Sequence, residues 1–385
     1  MISIFIPKEI LPEENRVAAT PETVKKYIKM GCEVSVEAGA GERSYISDTS
    51  YQEAGAQIEK NTKNGWAKAD IILKVSPPSI GEHHDEVSLM KEGAIIIGFM
   101  APHKNAGMIV SMSARKITAV SMELIPRITR AQSMDALSSQ ANIAGYKAVL
   151  VAAARLEKYF PQLMTAAGTV RPARVVVIGA GVAGLQAVAT AKRLGAIVEV
   201  SDIRPEVKEQ ILSLGGKFIE LPENEAVESE GGYAKEVTKE FLDKQQAILS
   251  RHIAAADVVI TTALVPGRPA PKLVTEEMIK GMSPGTVIVD LAVEEGGNCA
   301  FSEKNKEVNI NGVSIIGNSN LAGTLSKDAS SLYARNLKSL LDLFIVKGEL
   351  KVDLYEEIIN GSLITHDGEI LYPGKIIKQK GGATS

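Results

Sequence analysis

One stretch constrains the chain more than any other: Arg174-Val175-Val176-Val177-Ile178-Gly179-Ala180-Gly181-Val182-Ala183-Gly184. A β-branched run enters G-x-G-x-x-G. An apolar helix-like run follows from Leu185 to Leu194, and a second β-branched run, Ala196 to Val200, ends at Asp202. Alone, G-x-G-x-x-G says little. Between two strands and a helix, with an acid about 20 residues on, it reads as a dinucleotide-binding turn. Gly179 permits the tight turn, Gly181 lets a pyrophosphate approach the backbone, and Gly184 lets helix and strand pack closely. The phosphates would lie on backbone N–H groups at Val182 and Ala183, where the helix dipole favours anions. The plain alternative is a strand–helix turn that binds nothing.

Asp202, followed by Ile203 and Arg204, bears on which dinucleotide binds. A carboxylate there accepts hydrogen bonds from the adenosine ribose 2′-OH and repels a 2′-phosphate. Arg204 either meets a 2′-phosphate, lies over the adenine or pairs with the pyrophosphate. Because Asp202 ends the strand, NAD(H) is the expected ligand.

The rest of the chain sets bounds. Its 385 residues are 45% hydrophobic and 23% charged, enough for two globular domains. A net charge of −3 gives no electrostatic case for nucleic acid. Cys32 and Cys299 stand far apart and make no disulfide framework, so the reading is cytosolic. No His/Cys cluster signals a metal. The N-terminus meets Glu9 early and lacks a basic segment, so it reads as a strand rather than a signal peptide. The longest apolar run, Val175 to Ala191, is the glycine turn itself, which argues against a membrane span.

Ile2 to Ile6, Glu33 to Glu37, Asp70 to Val75, Ala94 to Phe99 and Ile117 to Ser121 read as short buried strands of a parallel sheet. Thr20-Pro21-Glu22 opens a helix to Met30. The polar segment Pro126 to Ala144 leaves a strand end, where open α/β sheets bind ligands, and leads into a helix from Ala136 to about Tyr159. Met164 to Pro172 reads as a hairpin or loop. Beyond Asp202 the second domain continues through an acid-rich insertion, residues 220–244, to a sheet of about six strands. Leu337, Leu340, Leu341 and Phe344 give helical spacing, and that helix returns to the first domain. The expected architecture is α/β: two Rossmann-like doubly wound parallel-sheet domains, residues 1–136 with 327–385 and residues 137–326, the first discontinuous.

Several stretches together point to a family: Arg16-Val17-Ala18, Pro126 to Asp135, Ser138 to Tyr146, Gly179 to Gly184, Gly231 to Lys235, Thr261 to Gly267 and Asp290 to Asn298. Over essentially its whole length the chain resembles the soluble NAD(H)-binding component of proton-translocating, Si/Re-specific nicotinamide nucleotide transhydrogenase, the first segment of the alpha subunit. The Arg-Ile-x-Arg-Ala-Gln-Ser-Met-Asp run is specific to it. The resemblance implies hydride exchange between NAD(H) on this chain and NADP(H) on a partner subunit. It also implies a homodimer, with contacts at Met164 to Pro172 and the helix after Asp135. The membrane-bound partners would be a separate membrane segment of the alpha subunit and the beta subunit, since the chain stops at Ser385 like the split form. The chain would then sit on the cytoplasmic face of the membrane through those partners.

The same resemblance assigns residues. Arg127 and Asp135 would pair, and Gln132 would contact the nicotinamide ribose, so that the three hold the ring near attack distance. Ser138 would bond the carboxamide, and Tyr146 would either support the loop or pack the helix. Val182, Asp202 and Arg204 would surround pyrophosphate and adenosine, with Ala263 and Leu264 on the adenosine or ribose side. Gly232 and Tyr233 look like the tip of a closing lid with Gln245 at its base. The competitor on the same fold is alanine dehydrogenase. Arg16 and Lys74 match two of its substrate residues, either as relics of that site or as structural ion-pair partners. Its catalytic histidine belongs at Gly98-Phe99-Met100-Ala101, whereas here His103 lies displaced beyond Pro102, and Glu294 replaces an acid of that family's Asp-x-Ala-x-Asp stretch. Reducing an imine needs a proton donor beside the hydride; passing hydride between two nicotinamides needs none.

Overall fold

The computed structural model describes residues 1–81, 84–220, 239–265 and 267–373, with the side chains of 239–243 and 245 left aside. The chain divides into two compact units, Met1–Gln140 with the chain from Gly323 onward, and Ala141–Ala322.

In the first unit, β-branched runs buried on both faces make an eight-stranded sheet. Its order is Glu369–Ile370, Leu363–His366, Thr118–Ser121, Ile95–Gly98, Ile71–Leu73, Ile2–Ile6, Cys32–Glu37, Gln57–Glu59. The strands from Thr118–Ser121 to Gln57–Glu59 are parallel, while Leu363–His366 joins antiparallel. Ile4, Ile6, Val34 and Val36 pack on one face, and Phe5, Trp66, Ile72 and Ile96 on the other. The first helix spans Pro21–Lys29; proline opens it, Thr23 Oγ1 accepts the Thr20 N–H at 3.0 Å, and Lys26 reaches Glu22. The helix Ser326–Phe344 buries Tyr333, Leu337, Leu340, Leu341 and Phe344 at turn spacing. Each such side chain contributes at most about 1.5–3 kcal/mol by burial. Three strands of this sheet lie beyond those read from sequence: Gln57–Glu59, Leu363–His366 and Glu369–Ile370. Each is short, two of them on sheet edges, and the apolar run is too brief to stand out.

The second unit holds a seven-stranded sheet rather than about six. Its order is Lys217–Phe218, Ile197–Ser201, Arg174–Ile178, Val258–Thr261, Val287–Asp290, Val313–Ile316, Glu307–Ile310. The added strand, Glu307–Ile310, pairs antiparallel with Val313–Ile316 and alternates exposed with half-buried residues, so no apolar run marks it. The sequence direction reverses between Arg174–Ile178 and Val258–Thr261. That is the topological switch point, where doubly wound sheets bind ligands at the strand C-termini. Leu163–Thr165 and Gly168–Val170 form the hairpin, with Met164 81% exposed. The long helix is Ala136–Arg155, ending before Tyr159, and the division between units falls inside it. Among the described residues, no helix is long and apolar enough to cross a membrane.

Candidate dinucleotide site and the 127–135 loop

The glycine turn sits at the switch point of the second sheet. Gly179 has φ of +96°, a conformation costly for other residues, and a Cβ there would lie 2.6 Å from Thr262 Oγ1. Thr262 closes the crevice from the neighbouring strand: its N–H donates to Ile178 O at 2.8 Å and its hydroxyl to Gly179 O at 3.0 Å. A Cβ on Gly184 would overlap the Gly179 carbonyl, so only glycine lets the helix Val182–Arg193 start this close to the strand. Gly181 is different. Nothing lies within 4 Å of a Cβ built on it, so its backbone faces open space. The first N–H groups of that helix have no intrahelical acceptor. An open glycine, unbonded helix-end donors and a half-exposed Val182 are the surroundings a pyrophosphate fits.

Asp202 is buried just past Ile197–Ser201, with Ile203 exposed beside it. Its Oδ2 accepts the Ala180 N–H at 2.6 Å, which ties the glycine turn to the neighbouring strand. Arg204 meets Asp202. Its backbone N–H and Nε donate to Asp202 Oδ1 at 2.9 and 3.0 Å, and its Nη2 to Oδ2 at 3.0 Å. The planar fork two residues on matches the carboxylate, and proximity decides the partner.

Ala263 and Leu264 follow the strand Val258–Thr261, and Leu264 is exposed. The sequence pattern gives no role to the residue that holds them. Asn298 is fully buried; its Oδ1 accepts Ala263 N–H at 2.9 Å, and its Nδ2 donates to Ala263 O and Pro271 O, both at 2.8 Å. Asp290, also fully buried, accepts from Thr261 Oγ1, Ala292 N and Cys299 N. Gly232 and Tyr233 lie outside the described residues. Gln245 lies in the helix Lys239–Ala254, its side chain likewise outside them.

In the first unit, Thr129–Met134 is a 3₁₀ segment leading into the helix at Ala136. Ala131 and Met134 are buried anchors, while Arg127, Gln132 and Ser133 are exposed. The implied Arg127–Asp135 pair is not among the ion pairs of the described residues. Asp135 caps the helix: Oδ1 accepts Ser138 N–H at 2.9 Å and Oδ2 accepts Ser138 Oγ–H at 2.6 Å. A carboxylate at a helix start satisfies N–H groups that have no intrahelical acceptor. The Ser138 hydroxyl proton is thereby committed as well. Tyr146 is exposed on the same helix, in the stretch that belongs to the second unit.

Arg16 and Lys74 each meet carboxylates. Arg16 donates to both oxygens of Glu14, at 2.7 and 2.6 Å, and to Gln140 Oε1 at 2.9 Å. Lys74, fully buried, has Glu9 and Glu86 each at 3.1 Å. Burial works against the Lys74 charge, but the two carboxylates outweigh it and its pKa is raised; burial pushes Glu9 up. Met100 is buried just past the strand Ile95–Gly98, its N–H bound by Glu123 at 2.9 Å, and His103 is exposed.

A doubly wound sheet with a glycine turn at its switch point and an acid closing the next strand defines a dinucleotide-binding protein, here joined to a second α/β unit. The chain belongs to the alanine dehydrogenase/PNT family: the model of that family's N-terminal domain matches residues 5–144 and that of its C-terminal domain residues 148–373. It is 48% identical over 377 residues to the first segment of the NAD(P) transhydrogenase alpha subunit of Rhodospirillum rubrum, covering 97% of this chain and 98% of that one. Alanine dehydrogenase of Methanococcus maripaludis is 33% identical over 77% of this chain and 73% of its own length. The crystal structure of transhydrogenase from Sinorhizobium meliloti superposes with a TM-score of 0.84 at 46% identity, over 96% of this chain and 99% of that one.

Proposed function

We propose that this chain is the NAD(H)-binding component of a proton-translocating transhydrogenase, exchanging hydride directly with NADP(H) on a partner subunit. The observation that carries the reading is the complete glycine turn with open space at Gly181, beside a stretch 98–101, with Met100 buried in it, where the alanine dehydrogenase resemblance expects a histidine and this chain has none. Near-full-length similarity to a transhydrogenase alpha subunit supports it. Bound NADH supplies the hydride. Gly179, Gly181, Val182, Ala183 and Gly184 hold the pyrophosphate. Asp202 accepts from the adenosine ribose while Arg204 and Ala180 N–H keep its carboxylate aimed, and Ala263 and Leu264 cover the adenosine side. Gly232, Tyr233 and Gln245 are assigned to nucleotide binding. Arg127, Gln132 and Asp135, with Ser138 behind them, hold the nicotinamide ring in place. These groups position and exclude water; none has to move a proton.

The chain acts as a homodimer whose hairpin exposes Met164 as a contact. It sits on the cytoplasmic face of the membrane through two membrane-bound partners, the membrane segment of the alpha subunit and the beta subunit. The test mixes the purified chain with an NADP-binding transhydrogenase component and follows hydride transfer from NADH. Transfer in the mixture, with no alanine formed from pyruvate and ammonia by the chain alone, is the expected result. Alanine formation without transfer would establish the dehydrogenase reading instead.

A further inference from the structure

The helix Ser326–Phe344 carries an apolar stripe, Tyr333, Leu337, Leu340, Leu341 and Phe344, with one polar interruption. Asn336 sits in that stripe, three residues from Tyr333 and four from Leu340, and is only 8% exposed. A buried amide on a core stripe costs stability unless both of its ends are bonded. Here both are. Nδ2 donates to the Ser133 carbonyl at 2.9 Å, and Oδ1 accepts the Ser139 hydroxyl at 2.8 Å. The orientation is fixed, because a carbonyl oxygen accepts only and the atom facing it must be the NH₂. One side chain therefore joins the 3₁₀ segment Thr129–Met134 to the first turn of the following helix.

That segment needs an external hold. It runs six residues, longer than 3₁₀ helices usually persist on their own poorer hydrogen bonds. Its inward anchors, Ala131 and Met134, fix depth, but small and unbranched side chains fix rotation weakly. The Asn336 bond lands on Ser133, the residue next to Gln132. Ser139, the other end of the strap, follows the Ser138 that is bound to the Asp135 carboxylate. We propose that Asn336 is a positioning residue that sets the placement of Gln132 and Asp135, and through them of the nicotinamide ring. The proposal rests on the reading of the 127–135 loop as the nicotinamide-positioning element. Asn336 touches no nucleotide itself; it acts through the loop.

The test compares Asn336→Asp, Asn336→Leu and Gln132→Asn in the complex reconstituted with an NADP-binding transhydrogenase component. Aspartate keeps the acceptor for Ser139 and removes the donor to Ser133. Leucine completes the apolar stripe, so it keeps the helix packed. Three quantities are read: single-turnover transfer at saturating NADH, the NADH dissociation constant, and the emission of bound NADH, which senses the nicotinamide surroundings. Both Asn336 variants should transfer about 10-fold or more slowly, with altered bound-NADH emission and affinity within about 3-fold, since a displacement near 1 Å costs about 100-fold in rate. A merely structural role would lower the melting temperature and leave the rate per saturated, folded site unchanged. Slow Gln132→Asn beside normal Asn336 variants would overturn the strap and leave the loop reading standing. Normal transfer in all three would overturn both.

Discussion

The glycine turn at 179–184 and the loop at 127–135 make an instructive pair, because each lies at the C-terminal end of a parallel strand and each is held in a different way. The turn is built from backbone. Its shape follows from a positive φ at Gly179, a contact that only glycine permits at Gly184, and open space at Gly181. The loop is built from side chains. Its course follows from the Asp135 cap on Ser138, the Asn336 strap on Ser133 and the Arg130 pair with Glu356 at 2.6 Å. A site for a charged diphosphate tolerates little variation and is written in glycines. A site that places a neutral ring can be assembled from ordinary bonds, and its components lie far apart in sequence.

The sharpest way to break this contrast is Gly184→Ala. The added methyl would overlap the Gly179 carbonyl, so strand and helix must separate. Overpacking of this kind costs about 1–3 kcal/mol or more. Thermal melting should show that loss, and NADH titration should show binding largely abolished. Unchanged melting and affinity would mean that the helix start is not seated as described.

Gly181→Ala separates fold from ligand. Nothing in the protein meets the new methyl, so stability should stay within about 0.5 kcal/mol. NADH affinity should nevertheless fall by about 10-fold or more, because the methyl occupies the place a pyrophosphate approaches. Equal affinity would remove Gly181 from the phosphate site.

The smallest effect belongs to the outer hold of the loop, Arg130→Ala. The hydrogen bond from Arg130 keeps the Glu356 carboxyl below its ordinary 4.5. A carboxylate depressed in this way stabilises the fold above its unfolded pKa, and the contribution fades as pH falls through the lowered value. The variant should therefore be slightly less stable than the parent at pH 7 and equal to it once Glu356 is protonated, with NADH affinity unchanged. Exposed pairs contribute little, so a large loss at pH 7 would contradict this picture.

Legibility in sequence followed the same division. The parallel strands announced themselves as short β-branched runs, and the glycine turn was readable with its flanking elements and Asp202. What stayed hidden were contacts between residues remote in sequence. Gln57–Glu59 and Glu307–Ile310 bury too little apolar surface to make a pattern. Asn298 looks like any loop asparagine until its three bonds to Ala263 and Pro271 are seen. The cap that Asp135 places on Ser138 was not legible in the sequence, because it depends on where the helix at Ala136 begins. The fork by which Arg204 holds Asp202, two residues away, also has no mark in the sequence pattern.

The central claim is that the turn supplies affinity and the loop supplies placement. It is tested most directly by single-turnover hydride transfer to NADP in the reconstituted complex, at saturating NADH, for Arg127→Ala, Gln132→Asn and Asp135→Asn, beside equilibrium NADH titration of each. The account predicts transfer reduced by about 10-fold or more with affinity changed by at most a few-fold. Normal transfer by the saturated loop variants would contradict it.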